Sequence, residues 1–201
     1  MDLIHQIAMG AGLAWASGIR LYAVLFLVGI LGHFGLIGLP AGLHVLTHPL
    51  VMSVAGGLFL IEFFADKIPG FDSLWDGIHT FIRIPAGAIL AAATFSDVDP
   101  ALMLAAGLIG GTIASGSHLA KAGSRAMINT SPEPFSNWAA SFGEEAVVLG
   151  GLWTMIMHPV AFLVLLVLFL GLAAWLLPKL WRGVRTLARR LGYGTAPTRA
   201  G

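Results

Sequence analysis

The chain has 201 residues, 57% of them hydrophobic and only 10% charged, with a formal net charge of +1 and no cysteine. A soluble domain carries about 25% charged residues, so this pool is too small to build a water-facing exterior and the chain belongs in a bilayer. The absence of cysteine excludes disulfides, thiolate metal sites and thiol catalysis, and the near-zero net charge excludes a general attraction to polyanions such as nucleic acid.

In chain order, the N-terminal stretch MDLIHQIAMGAGLAWASGIR lacks the basic start and long apolar core of a cleavable leader. It reads as mature sequence, a short interfacial helix leading into the first span. A spanning helix needs about 20 mainly apolar residues. Six segments qualify, over about 18–38, 49–68, 78–96, 101–122, 138–157 and 159–178. The expected fold is therefore all-α: a polytopic membrane domain over residues 1–180, followed by a basic cytoplasmic tail over 181–201. Pro40, His48-Pro49, Asp97-Val98-Asp99-Pro100, Ser131-Pro132-Glu133-Pro134 and His158-Pro159 fall between the segments, where helix breakers and caps belong. The Gly- and Ala-rich third to fifth segments are expected inside, packed through small residues such as Ala86-Gly87-Ala88 and Gly107 to Ser117. The Leu-, Phe- and Val-rich first and sixth are expected to face lipid.

With six spans, both termini and the loops after spans two and four share one side. All eleven Lys and Arg lie there: Arg20, Lys67, Arg83, Lys121, Arg125, Lys179, Arg182, Arg185, Arg189, Arg190 and Arg199. By the positive-inside rule that side is cytoplasmic, so both termini are expected in the cytoplasm. The tail KLWRGVRTLARRLGYG alternates Leu180, Trp181, Val184, Leu187 and Leu191 with basic residues near helical spacing. That suits an ordinary positive-inside anchor, or a helix lying on an anionic leaflet.

The informative chemistry is in the middle. Glu62 and Asp66, four apart, share a helical face at the end of span two; Lys67 follows, and Pro69-Gly70 breaks the helix. Asp72 reads as the cap of the next helix, on which Asp76, His79 or Thr80, and Arg83 form a polar stripe. The second half repeats the plan loosely. His118, Lys121 and Arg125 end span four, and Asn137, Ser141, Glu144 and Glu145 follow a proline-rich break into span five. Two helix-break-helix units, spans two-three and four-five, thus face each other with charge at matching depth. An internal repeat is one reading of that plan, although the units share little identity.

An ionised side chain near the bilayer centre costs roughly 2.5–3.5 kcal/mol on insertion scales. Glu62, Asp66, Asp76, Glu144 and Glu145 can be balanced by Arg20, Lys67, Arg83, Lys121 and Arg125, which makes such a set tolerable. Such a set is either a buried ion-pair network fixing helix register or a functional polar cavity, and ionisable residues inside membrane helices are by default site candidates. His79 and His118 lie in the same layer and suit a proton relay, or a divalent cation beside a carboxylate. His48 and His158 read as helix caps. No HExxH, paired CxxC or Glu-x-x-His pair occurs, and no GxxxxGK[ST], GxSxG or GxGxxG in a usable context, so no cofactor is expected and catalysis by a local motif is not.

The segments ASGIR (16–20), ADKIPGFDSLWDGIHTFIRIPAGA (65–88) and SPEPFSNWAASFGEE (131–145) resemble the signature segments of a bacterial integral-membrane family catalogued as domain of unknown function 4126. The resemblance spans most of the chain. It implies a compact multi-pass helical protein of the bacterial inner membrane whose signature segments coincide with the charged layer, and it names no substrate.

The leading expectation is a small inner-membrane transporter or channel, not an enzyme: a homo-oligomer with a charged cytoplasmic-side cavity lined by Glu62, Asp66, Asp76, His79, Arg83, His118, Lys121, Arg125, Glu144 and Glu145. Its cargo is a small ion or small molecule. Two alternatives stand beside it: Arg20, Arg83 and Arg125 gripping an anionic lipid such as a polyprenyl phosphate, and a non-catalytic scaffold whose ion pairs are purely structural.

Overall fold

The computed structural model describes residues 2–68, 70–129 and 134–190, the side chains of Pro134, Leu180, Trp181 and 183–190 excepted. All regular structure among the described residues is helical: α1 (Leu3–His33), a 3₁₀ turn (Ala41–Thr47), α2 (Pro49–Ala65), α3 (Phe71–Ala93), α4 (Pro100–Ile128), α5 (Pro134–Met157) and α6 (Pro159–Arg190). Four of these begin with proline, whose missing N–H costs nothing in a first turn. His48 caps α2, its Nδ1 accepting from the Leu50 N–H at 3.2 Å, and Asp99 caps α4 through the N–H groups of Ala101 and Leu102. Gly70, at φ 83°, turns the chain into α3, so Asp72 falls in the first turn of that helix instead of capping it.

The unexpected element is α1. Its backbone leaves helical geometry once, at Arg20 (φ −142°, ψ 71°). A straight helix of 31 residues is about 46 Å long. Yet His5 and Met9 share a cavity wall with Leu36, Ile37 and Gly38, just past the other end. Along the first arm, Gln6 donates to the Thr94 carbonyl (2.7 Å), Gly10 lies beside Thr94 and Phe95, and Gly18 lies against Ser117 and Ala114. Along the second, Tyr22 meets His79, Phe26 packs on Gly56 and Phe59, and Gly29 lies beside Leu46 and Met52. The chain therefore descends to Arg20 and returns, a helical hairpin with both ends on one side. Gly35 (φ 66°) closes the second arm, the Leu36 N–H reaching the Leu31 carbonyl and the Gly35 N–H that of Gly32.

This corrects three expectations. The segments read as an interfacial helix and a first span form one hairpin. That hairpin is not lipid-facing but the centre of the molecule, touching every other helix, with Leu13, Ala14, Leu21, Val24 and Val28 buried. The chain's first residues also lie at the end opposite the charged layer, whereas α6 runs from Phe162, beside Gly12, past Leu170, beside Gly116, towards it. The two ends of the described chain are on opposite sides of the body. The cause is the composition of 8–18, whose Ala, Gly and Ser let other helices approach closely enough to enclose it.

The small residues of α3 and α4 do pack as expected. A Cβ at Gly87 would collide with Ala114, and one at Gly110 with Ala91. Both helices also turn apolar faces outward, however, with Phe81 83% exposed and Leu108 68%. The sixth segment faces outward too, exposing Val160, Val164, Val167 and Leu168. Among the described residues, three helices are long and apolar enough to cross a membrane, Leu3–His33, Pro100–Ile128 and Pro159–Lys179, or four with the bent pair Ala41–Thr47 and Pro49–Ala65. Leu3–His33 qualifies by length and composition, but its course doubles back. α6 continues as helix past residue 180 to Arg190. The amphipathic pattern expected of the tail lies outside the described residues.

Candidate functional site

The tip of the α1 hairpin is the anchor of the charged layer. Arg20 has no exposed surface. Its Nη2 donates to the Ser141 carbonyl (3.1 Å) and Oγ (2.9 Å) on α5, and its Nη1 lies 2.9 Å from Asp66 Oδ2 at the end of α2. Asp66 Oδ2 also accepts from Lys121 Nζ at 2.9 Å, and Arg125 Nη2 stands 3.9 Å away. One carboxylate thus faces cations from α1 and twice from α4. This is possible because α2 and α4 both end in this layer, presenting the residues that the i, i+4 spacing aligned.

Two further groups extend it. On α3, Arg83 donates to Asp76 Oδ1 at 2.6 Å and to Glu62 Oε1 of α2 at 2.5 Å, and Asp76 also lies 3.2 Å from Lys121 Nζ. On α4, Arg125 donates through Nε to Glu144 Oε1 of α5 at 2.7 Å, and through Nη1 to the Asp66 carbonyl (2.9 Å) and to Asn137 (3.3 Å). Asp72 accepts from the Ser73 N–H (2.7 Å) and from Asn129 Nδ2 (2.8 Å), with Arg125 Nη1 at 3.7 Å. Lys67 caps the layer's side. Its Nζ lies over the Phe63 ring, 2.9 Å from the centroid, and 4.0 Å from Glu145.

Both histidines are hydrogen bonded through both ring nitrogens. The Trp75 carbonyl, 2.8 Å from His79 Nδ1, can only accept, so Nδ1 carries a proton, and Nε2 shares a hydrogen bond with the Tyr22 hydroxyl at 3.1 Å. His118 Nδ1 faces an Arg83 N–H at 3.5 Å, which leaves its proton on Nε2, donated to Thr80 Oγ1 at 2.7 Å. Thr80 in turn donates to the Asp76 carbonyl (3.0 Å). No three His, Asp or Glu among the described residues are disposed to hold a metal ion.

All ten residues expected in the site converge. Glu62, Asp66, Asp76, His79, Arg83, His118, Lys121 and Arg125 are buried, while Glu144 and Glu145 are partly exposed at the edge. The acids and bases among them are paired with one another, and His79 adjoins them through Tyr22. A cavity of about 50 Å³, bounded by Arg20, Leu27, Phe59, Glu145 and Val148, touches the layer from the side between α2 and α5. Sequence reasoning missed Tyr22 and Asn129, neutral polar residues with no spacing signal. It also undervalued Asp72, whose acidity was visible but whose partners were not.

No curated protein and no solved structure matches the chain. A family model described as a domain of unknown function, DUF4126, matches residues 7–179 and so covers the hairpin, the charged layer and the start of α6. The chain therefore belongs to the DUF4126 family.

Proposed function

We propose that this protein is a small cation-linked, in the first instance proton-linked, membrane transporter or channel whose moving charge visits the buried layer. The observation that carries this reading is a charge imbalance. Among the described residues the layer holds six carboxylates, Glu62, Asp66, Asp72, Asp76, Glu144 and Glu145, against five cations, Arg20, Lys67, Arg83, Lys121 and Arg125. A buried uncompensated anion costs several kcal/mol, so the layer favours taking up one more positive charge. A purely structural network has no need of an odd member, which favours exchange over the scaffold reading. The lipid reading is weakened because Arg83 and Arg125 are committed to internal carboxylates and Arg20 to Ser141 and Asp66.

In this reading α2 to α6 cross the membrane, and the α1 hairpin enters from the side opposite the charges. The positive-inside rule places the charged end in the cytoplasm, with α2-α3 and α4-α5 as two helix-break-helix units. The protein reconstituted in liposomes is expected to relax an imposed pH or cation gradient. Asp76→Asn and Glu144→Gln should each lower that flux at least tenfold while leaving the purified protein monodisperse. Wild-type protein that relaxes no gradient across a broad panel of ions and metabolites overturns the reading.

A further inference from the structure

We infer, building on the reading that the layer takes up a proton, that Glu145 is the carboxyl that holds it, and that the proton arrives sideways through the gap between α2 and α5. The six acids are not equivalent. Asp66 faces three cations; Glu144 accepts from Arg125 at 2.7 Å with Arg20 and Lys121 at 3.3 and 3.6 Å. Asp76 and Glu62 each accept a short bond from Arg83, and Asp72 accepts two bonds in the first turn of α3, where the helix dipole favours an anion. Glu145 has neither kind of support. Its nearest cations, Arg20 Nη2 and Lys67 Nζ, are 3.6 and 4.0 Å away, and its buried Oε1 has no hydrogen-bond partner.

The surroundings of Glu145 supply a route and a counter-ion. The groups facing it are Arg20 of α1, Asp66 and Lys67 at the end of α2, and Ser141 and Glu144 of its own helix, behind which stand Lys121 and Arg125 of α4. It lines the 50 Å³ cavity, which has room for at least one water, and the cavity's other walls are Arg20 and apolar residues of α1, α2 and α5. Lys67 bridges the same gap. It donates to the Phe63 carbonyl (3.1 Å) and to Ser141 Oγ (3.3 Å), and lies 4.6 Å from the Phe142 ring centroid. When the Glu145 O–H bond breaks and the proton passes to a cavity water, the Lys67 ammonium closes the remaining distance and becomes the counter-ion. When a proton returns, Lys67 goes back to Ser141 and the two rings.

The test is infrared difference spectroscopy of the full chain in lipid nanodiscs across a pH series, with liposome flux measured in parallel. The expected result is a protonated-carboxyl band that disappears as pH rises. It should be lost in Glu145→Gln, kept at a shifted frequency in Glu145→Asp, and unchanged in Asp97→Asn, outside the layer. Lys67→Met, which removes the counter-ion, should keep the band to higher pH by about 1–3 units. A band that survives in Glu145→Gln, or is lost instead in Glu62→Gln, overturns the assignment. A band that behaves as expected in protein without flux supports the site while removing the transport reading. Flux that persists in Glu145→Gln with an unchanged spectrum removes the site and leaves transport standing.

Discussion

Asp66 and Glu145 mark the two extremes of the layer, and the contrast can be measured. Asp66 is fully buried and shared by Arg20, Lys121 and Arg125, so Asp66→Ala takes from three buried cations a carboxylate they share, leaving them only their contacts to Asp72, Asp76, Glu144 and Glu145. Removing one partner of a buried ion pair costs about 3–5 kcal/mol, and a cost of that order is expected in detergent unfolding of Asp66→Ala. Glu145→Gln removes a loosely held charge and should cost far less; equal losses in the two variants would show that burial, not pairing, sets the energetics. Tyr22→Phe is the test of the histidine assignment. Without the hydroxyl at 3.1 Å, His79 Nε2 is left unpaired in a buried site, and a loss of about 1 kcal/mol is expected. These acids and bases stood out in the sequence because a charge in an apolar chain has few places to go. Tyr22 and Asn129 did not, because a neutral polar residue acquires meaning only from the partner opposite it.

The decisive element is the hairpin of α1. Its first arm lies so close to α3 and α4 that a side chain at Gly18 would meet Ser117 and the Ala114 carbonyl, and one at Gly87 would meet Ala114 and Ser17. Gly18→Leu and Gly87→Val are therefore expected to cost at least the 1–3 kcal/mol typical of overpacking, read as a lowered unfolding midpoint. Gly57→Ala, where nothing lies within 4 Å, should be neutral or slightly stabilising through helix propensity. The reversal at Arg20 uses neither Gly nor Pro, and the local run ASGIRLYA reads as uninterrupted helix. What holds the bend is non-local: a guanidinium bound to Ser141, 121 residues away, and paired with Asp66.

Over the whole molecule, the hairpin changes sidedness. The chain lacks native cysteine, so single-cysteine variants report cleanly on which face is accessible. His5→Cys and Gly38→Cys are expected to react with a membrane-impermeant thiol reagent from one side of oriented vesicles, and Lys179→Cys from the other. Reaction of positions 5 and 179 from the same side would dismiss the hairpin. The sequence by itself determined that the chain is helical with segments long and apolar enough to cross a membrane, that its charges form one layer, and which residues compose most of it. Hydropathy and charge cost are local properties that no later folding can evade. Even the segregation of basic residues survives the revised topology, because Arg20 at the tip reaches the same end it was assigned under six spans. Only the tertiary structure decided that α1 turns back, that it is the centre instead of the rim, and that the layer's charges pack against one another, with six carboxylates to five cations among the described residues. Those outcomes depend on contacts between segments far apart in the chain, and a hydrophobic run is equally apolar whether it crosses the membrane or returns.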